Sequence, residues 1–163
     1  MNLPFYTYPG DENAMSDVES GVYGKHHTFG DGETVLDIGA HVGFFTEWVR
    51  NKIGGGRIVA FEAHPRNFDE LKIRCSAMPN VSLINAVACD TSHAIMKLWN
   101  NSHNSGGHSI FKSNSDHYHY AIDVPTINVG HYCAGRLITP TFAKIDAEGA
   151  EFEIITTILA DQF

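Results

Sequence analysis

The chain has 163 residues, enough for one domain with one buried core, and with 43% hydrophobic and 18% charged residues it has the composition of a soluble globular protein. Its formal net charge of −8 argues against broad binding of nucleic acid or anionic membranes. No apolar run approaches the roughly 18–20 residues that a membrane span needs. Because the first residues also lack the basic start and apolar core of a signal peptide, we expect a cytoplasmic protein.

Strand and helix patterns alternate through the first half of the chain. Residues 1–32 form a polar lead-in without a clear period, and apolar runs of strand length follow at 33–39, 57–63 and 81–89. Two amphipathic helices are predicted between these runs, the first ended by the glycines 54–56 and the second opened by Pro65. This order predicts a parallel sheet with right-handed crossovers.

The pattern changes in the second half. Short strands without intervening helices are predicted at 94–100, 108–112 and 120–129, which indicates an antiparallel insert within residues 94–132. A fourth buried strand is predicted at 141–146, before a helix over 150–160. The residues predicted to face inward on this helix are Phe152, Ile155, Ile158 and Leu159. With no repeat and no linker, we predict a single domain over 1–163.

The turn after the first strand carries the first functional signal. Ligands of open α/β sheets bind beyond the carboxyl ends of the strands, where Asp37, Gly39 and Gly43 follow one another with the spacing D-x-G-x-x-x-G. Glycine there would allow close approach of a ligand to backbone N–H groups. His41 occupies the place where a dinucleotide-binding turn has glycine, which argues against a pyrophosphate ligand and a dinucleotide oxidoreductase.

Glu62 supplies the second signal. It ends the second strand, 19 residues after Gly43, and an acidic residue about 20 residues beyond a glycine turn accepts hydrogen bonds from ribose hydroxyls. Together the two features predict an adenosine-type ligand. The competing interpretation is an ordinary strand–turn–helix with a solvated glutamate.

Five segments carry a family resemblance: VLDIGAHVGFFT, GRIVAFEAHPRNFDEL, NVSLINAVACD, NSGGHSIF and FAKIDAEGAEFEII. Over about residues 33–160 the chain resembles the FkbM family of class I S-adenosylmethionine-dependent methyltransferases. The resemblance implies a Rossmann-like sheet of core order 3-2-1-4, and O-methylation of sugars or natural products. It assigns the methionine part of the cofactor to Asp37, Gly39, Ala40, His41 and Gly43, with Phe44 beside them. It assigns the ribose to Glu62 and the adenine to Ala63, His64, Asn85 and Ala86.

Candidate catalytic groups follow the fourth strand. Asp146 and Glu148 should face the same mouth as the glycine turn, and Asp146 is our first choice as general base or acceptor-positioning residue, also placed beside the cofactor. Glu151 is predicted to cap the following helix. The competing interpretation of DAEGAE is an acidic turn stabilised by the helix dipole. His108 is a second proton-transfer candidate, with a plain turn histidine as the alternative.

The ten histidines and three cysteines suggest no metal centre. His117 and His119 alternate as on one strand face and His26 adjoins His27, but no H-x-x-x-H helix or C-x-x-C pair appears, so no metal is predicted. The three widely spaced cysteines are predicted to be buried free thiols.

Two differences from the family pattern set further expectations. Thr126-Ile127-Asn128 stands where the family tends to have T-L-D, and the chain stops at Phe163 where members usually continue into further strands. We therefore expect a short version of the fold, natural or truncated. Its fourth parallel strand would form an open edge, covered by the insert or by a second copy in a homodimer. A non-catalytic S-adenosylmethionine-binding domain or partner subunit is the alternative to an enzyme acting on a small-molecule or glycan acceptor.

Overall fold

A computed structural model describes residues 11–90, 93–112 and 116–160. These ranges contain five helices and seven strands. The helices are α1 (Asp11–Glu19), α2 (Phe44–Arg50), α3 (Pro65–Cys75), α4 (Val129–Ala134) and α5 (Glu151–Ala160), with a 3₁₀ turn at Val22–Gly24. The strands are β1 (Thr34–Ile38), β2 (Arg57–Glu62), β3 (Val81–Asn85), β4 (Val87–Ala88), β5 (Ile95–Asn101), β6 (Tyr118–Ile127) and β7 (Phe142–Ile145).

The main sheet is parallel and has the order β3-β2-β1-β7. This confirms the predicted order 3-2-1-4, because β7 is the fourth parallel strand of the chain. Asp37 lies opposite Ala60 on one side and Lys144 on the other, so the carboxyl ends of β1, β2 and β7 finish level with one another. That edge is where the functional signals of the sequence meet.

Helices cover both faces of the main sheet, which explains the nearly continuous apolar strands. Val35 and Ile58 pack with the apolar residues of α1 and α2 on one face, and Ala60 packs against α3 on the same side. Leu36 and Val59, one residue along in each strand, face α4 and α5. The alternation places Asp37 on the α2 side.

A second sheet of order β4-β6-β5 stands beside the first. Strands β5 and β6 are antiparallel, as predicted, but β4 joins β6 in parallel. The predicted strand 81–89 is therefore divided: the chain leaves the main sheet at Asn85 and enters the second sheet at Val87. The predicted strand 108–112 is wrong, since Ser109 makes a single antiparallel bridge to Trp99.

Helix α4 was not predicted, and it begins at Val129, the last residue of the predicted strand 120–129. Asn128 caps it, because its side-chain oxygen accepts the His131 N–H at 2.9 Å. Asparagine is a strong N-cap residue, so Asn128 has a structural role at this position.

The inward face predicted for α5 is wrong at Phe152, Ile155 and Leu159 and confirmed at Ile158. Ile154 is fully buried and Ile158 packs partly against the core, whereas Phe152 is 80% exposed and Leu159 50% exposed. Ile155 is also exposed. Both stripes of this helix are apolar, so periodicity alone could not choose between them, and the stripe that continues Ala150 at four-residue spacing faces the sheet.

Within the described ranges, no helix is long and apolar enough to cross a lipid bilayer. Cys75, Cys89 and Cys133 are buried free thiols, as predicted. Burial raises the pKa of each thiol, that of Cys75 to about 12, which keeps them protonated and unreactive.

Candidate functional site

The two glycines of the first turn are required by packing within the protein. Gly39 has φ +75°, and a Cβ there would lie 1.8 Å from the carbonyl oxygen of Asp146. Gly43 has φ +91°, and a Cβ there would lie 2.7 Å from Leu71 Cδ1. Gly39 thus lets the end of β7 approach β1, and Gly43 lets α3 approach the turn. The sequence predicted a ligand as the partner of this close approach, whereas the neighbours that require glycine in the structure are protein segments, and the approach of a ligand stays a prediction.

Glu62 is a buried hydrogen-bond acceptor at the end of β2. Its Oε2 accepts the His41 N–H at 2.8 Å and its Oε1 accepts the His64 N–H at 2.9 Å, with Asn67 Nδ2 at 3.5 Å. Burial raises the pKa of this carboxyl above its usual value, although the two backbone hydrogen bonds partly oppose the shift. Glu62 therefore ties the first turn to the start of α3.

Lys144 and Asp37 form a buried ion pair behind the turn. Lys144 Nζ donates to the Gly39 carbonyl at 2.6 Å and lies 3.4 Å from Asp37 Oδ1 and 3.8 Å from Asp146 Oδ2. The other Asp37 oxygen accepts the Thr46 hydroxyl at 2.5 Å. Burial alone would lower the pKa of Lys144, but the carboxylates of Asp37 and Asp146 more than offset it and raise the pKa. Sequence reasoning singled out Asp37 and missed its partner.

The turn after β7 is built around Glu151. Its Oε1 accepts the Ala147 N–H at 3.0 Å and its carboxylate also accepts the Gly149 N–H. These two N–H groups precede α5, so Glu151 stabilises the turn, and its predicted role as a cap of the helix stays a prediction. Asp146 and Glu148 belong to this turn, and the Asp146 side chain is 59% exposed. Glu148 has φ +47°, and burial, followed by the charges of Asp146 and Glu151, raises the pKa of its carboxyl.

The segment between β5 and β6 is anchored over the carboxyl ends of β1 and β2. His41 Nε2 and Ser105 Oγ are 2.7 Å apart, and Asn67 Nδ2 donates to the Ser105 carbonyl at 2.8 Å. Ser109 Oγ donates to the Glu148 carbonyl at 2.7 Å. These contacts tie the segment to the first turn, α3 and the turn after β7.

A pocket lies between this segment, the strand ends and the N-terminal region. The predicted residues that line it are Gly39, Ala40, His41, Phe44, Glu62, Ala63, Ala86, His108, Asp146 and Glu148. Four predicted residues are not part of the lining: Asp37, Gly43, His64 and Asn85. Asn85 instead fixes the end of β2, since its Nδ2 donates to the carbonyls of Glu62 and Ala63.

Sequence reasoning missed several pocket residues. Tyr23 and Asp17 come from the N-terminal region, which has no periodic pattern, and Asn67 lies in the first turn of α3. Burial raises the pKa of Tyr23, while the nearby Lys144 charge opposes the shift. Of the missed residues only Lys144 carried a signal, since a lysine inside a buried strand needs a counter-charge.

Metal-binding geometry is absent from the described part of the chain, where no group of three or more His, Cys, Asp or Glu residues could hold an ion. His117 packs against His103, with ring centroids 4.2 Å apart, and His27 Nε2 lies 2.8 Å from Glu33 Oε2. The prediction of no metal stays a prediction.

Comparison with protein families decides the classification. The sequence model for the Methyltransferase FkbM domain matches residues 37–163, more than three quarters of the chain. The protein belongs to the FkbM methyltransferase family. Its sheet order and helices on both faces are those of the Rossmann-like class I methyltransferase fold, with the β4-β6-β5 sheet added. Among curated proteins no sequence match is found.

Two methyltransferases are among the solved structures similar to this FkbM domain. The 23S rRNA methyltransferase ErmE has a TM-score of 0.36 at 19% identity, and the alignment covers 49% of this chain and 30% of that one. A putative rRNA-methylase from Clostridium thermocellum has a TM-score of 0.39 at 14% identity, with 97% of this chain and 83% of that one covered. This chain therefore spans less than a third of the length of ErmE.

Proposed function

We propose that this FkbM domain transfers a methyl group from S-adenosylmethionine to a hydroxyl of a sugar or another small polar molecule. The observation that supports the proposal is the convergence at one pocket of the turn after β1, the Glu62 carboxylate and the acidic turn after β7. In open α/β sheets this edge is the usual ligand site.

The residues present fit the cofactor that the family implies. A carboxylate can accept about four hydrogen bonds. Glu62 accepts three from donors within the protein, so it can accept a further one from a ribose hydroxyl. The pocket wall beside Glu62 is apolar, formed by Ala63, Ala86 and Leu98, and suits the faces of a purine ring.

The acidic turn after β7 supplies the groups for the acceptor. When bound, S-adenosylmethionine supplies an electrophilic methyl group, and the protein must position the acceptor and help remove its proton. Asp146 is exposed at the pocket and can accept that proton, with Lys144 3.8 Å from its Oδ2. Glu148 is the second candidate, since a raised pKa brings a carboxylate closer to the optimum of a general base.

The N-terminal region and the segment between β5 and β6 shape the remaining walls. Asp17 and Tyr23 come from the first, and Asn104 and Ser105 from the second. Their hydroxyl, amide and carboxylate groups can hydrogen-bond several hydroxyls of one ligand, which favours a polyhydroxylated acceptor.

Side-by-side calorimetric titration with S-adenosylmethionine and NAD tests the ligand class and the role of Glu62. We expect the wild type to bind S-adenosylmethionine and not NAD. Glu62→Ala should weaken binding about ten- to a hundredfold, because a hydrogen bond to a charged group contributes roughly 1.5–3 kcal/mol. The control is Glu153→Ala, an exposed glutamate on α5.

Unchanged affinity in a folded Glu62→Ala protein would refute the ribose assignment. Preference for NAD would refute the proposed function. Binding without S-adenosylhomocysteine production, tested on a panel of sugars and polyols, would identify a non-catalytic binding domain.

We also propose a homodimer formed through β7. Within the described residues β7 pairs only with β1, and the insert strand β6 pairs with β4 and β5, so the expected alternative of coverage by the insert is wrong. An unpaired strand edge favours pairing with another chain. Light scattering at micromolar concentration should give about twice the 18.0 kDa of one chain, and a monomer across a dilution series would contradict the dimer.

A further inference from the structure

His108 is fixed on both sides by its neighbours in the chain. The Tyr118 hydroxyl donates to the Gly107 carbonyl at 2.9 Å. Ser109 exchanges two backbone hydrogen bonds with Trp99, of 2.7 and 3.2 Å, and its hydroxyl reaches the Glu148 carbonyl. The backbone that carries the imidazole is therefore held in one position.

The ring of His108 lies at the β2 end of the pocket. Its centroid is 4.1 Å from that of the His64 ring, with 25° between the planes. His64 is fixed in turn, since its Nε2 lies 2.7 Å from Asn100 Oδ1. The stacking places the imidazole of His108 beside His64, two residues after Glu62.

One hydrogen bond decides which ring nitrogen of His108 carries the proton. The backbone N–H of Asn101 donates to His108 Nδ1 at 3.0 Å. A backbone amide can only donate, so the Nδ1 lone pair is occupied and the neutral ring must carry its hydrogen on Nε2. None of the described residues accepts a hydrogen bond from Nε2, and the residue lines the pocket.

The surroundings also keep the ring neutral. A second proton would have to bind at Nδ1, against the N–H of Asn101. Burial, together with the nearby imidazoles of His64 and His41, lowers the pKa of His108 to about 3. A group that is already protonated on the exposed nitrogen and resists further protonation cannot act as a general base near neutral pH.

We propose that His108 is a fixed, neutral hydrogen-bond donor, through Nε2–H, to an acceptor atom in the nucleoside part of the ligand. This inference rests on the proposed function and replaces the predicted proton-transfer role of His108. A ring nitrogen of the purine or an oxygen of the ribose provides such an acceptor.

Calorimetry with S-adenosylmethionine and three variants tests the proposal. His108→Phe keeps a planar ring without the donor, and we expect about five- to thirtyfold weaker binding, the effect of leaving a hydrogen-bonding group unpaired. His108→Gln keeps an N–H donor at a similar reach and should bind more tightly than His108→Phe. The control is His103→Phe in the same segment, which should bind like the wild type because the exposed His103 ring contacts His117.

Nitrogen NMR of the histidine side chains provides a readout that does not depend on the cofactor. The wild-type signals that disappear in His108→Gln belong to the ring of His108. We expect them to show a neutral ring protonated on Nε2, without titration between pH 5 and 8. Titration in that range, or protonation on Nδ1, would overturn the proposal.

The two readouts separate this inference from the proposed function. Failure of the wild type to bind S-adenosylmethionine refutes the proposed function, and the donor assignment with it. A wild type that binds, together with a His108→Phe variant of equal affinity, refutes the donor role alone. If His108→Phe binds S-adenosylmethionine like the wild type but transfers methyl groups slowly, His108 is a proton-transfer residue and not a donor to the ligand.

Discussion

Asp146→Asn is expected to bind S-adenosylmethionine within a few-fold of the wild type and to transfer methyl groups on the order of 10²–10⁴ times more slowly. The carboxylate is exposed at the pocket and the main chain of Asp146 is held independently, through its N–H to the Ile38 carbonyl at 3.0 Å. The amide is nearly isosteric and should leave the pocket intact while removing the proton acceptor. Production of S-adenosylhomocysteine measures the rate, with an acceptor that the wild type methylates.

Glu148→Gln is the matched variant for this experiment. It removes the other carboxylate of the turn, and its side chain makes no hydrogen bond that holds the strand ends together in the described structure. If Asp146→Asn turns over at the wild-type rate while Glu148→Gln is slow, the base is Glu148. If both retain the wild-type rate, neither carboxylate accepts the proton and the assignment to this turn is wrong.

Lys144→Met is expected to lower the free energy of unfolding by about 3–5 kcal/mol, because it leaves the fully buried Asp37 carboxylate without its counter-charge. The pKa of Lys144 in the folded protein is raised above its ordinary value of 10.5. The contribution of the ion pair to the free energy of unfolding is therefore complete below pH 10.5 and is lost only as the pH rises through the pKa of the folded state. Urea unfolding followed by circular dichroism at pH 7 therefore measures the whole effect.

An exposed pair in the same protein serves as the control. Lys97 Nζ lies 2.7 Å from Asp123 Oδ1, and both side chains are more than half exposed, so Lys97→Met should cost less than about 1 kcal/mol. The double variant Asp37→Asn/Lys144→Met should recover part of the lost stability, since the unpaired buried charge is gone. A loss for Lys144→Met as small as that for Lys97→Met would show that Asp37 does not depend on the lysine.

How much of the site could be predicted depends on the source of each signal. Glu62 and Asp146 became candidates because parallel strands finish at one edge, a rule that needs only the order of the elements along the chain, and Glu62 also because it follows Gly43 by 19 residues. Which residues would contact one another at the site was not predictable, although a lysine inside a buried strand indicates that a counter-charge must exist. Lys144 on β7 reaches Asp37 on the neighbouring strand β1, more than a hundred residues earlier in the chain, and the His108 tautomer depends on the N–H of Asn101. Such contacts exist only once the chain is folded.

The sequence by itself determined the parallel sheet and the edge at which the candidate site residues meet, because buried strands, glycine turns and amphipathic helices follow from local patterns of apolar residues. Only the tertiary structure decided which of two similar apolar faces is buried and which sheet a short strand joins. Ile154 rather than Phe152 lies in the core, and Val87 pairs in the second sheet rather than in the main one. The tertiary structure also uses Gly39 and Gly43 for contacts with β7 and α3, since the space beside a backbone atom is set by segments distant in the chain.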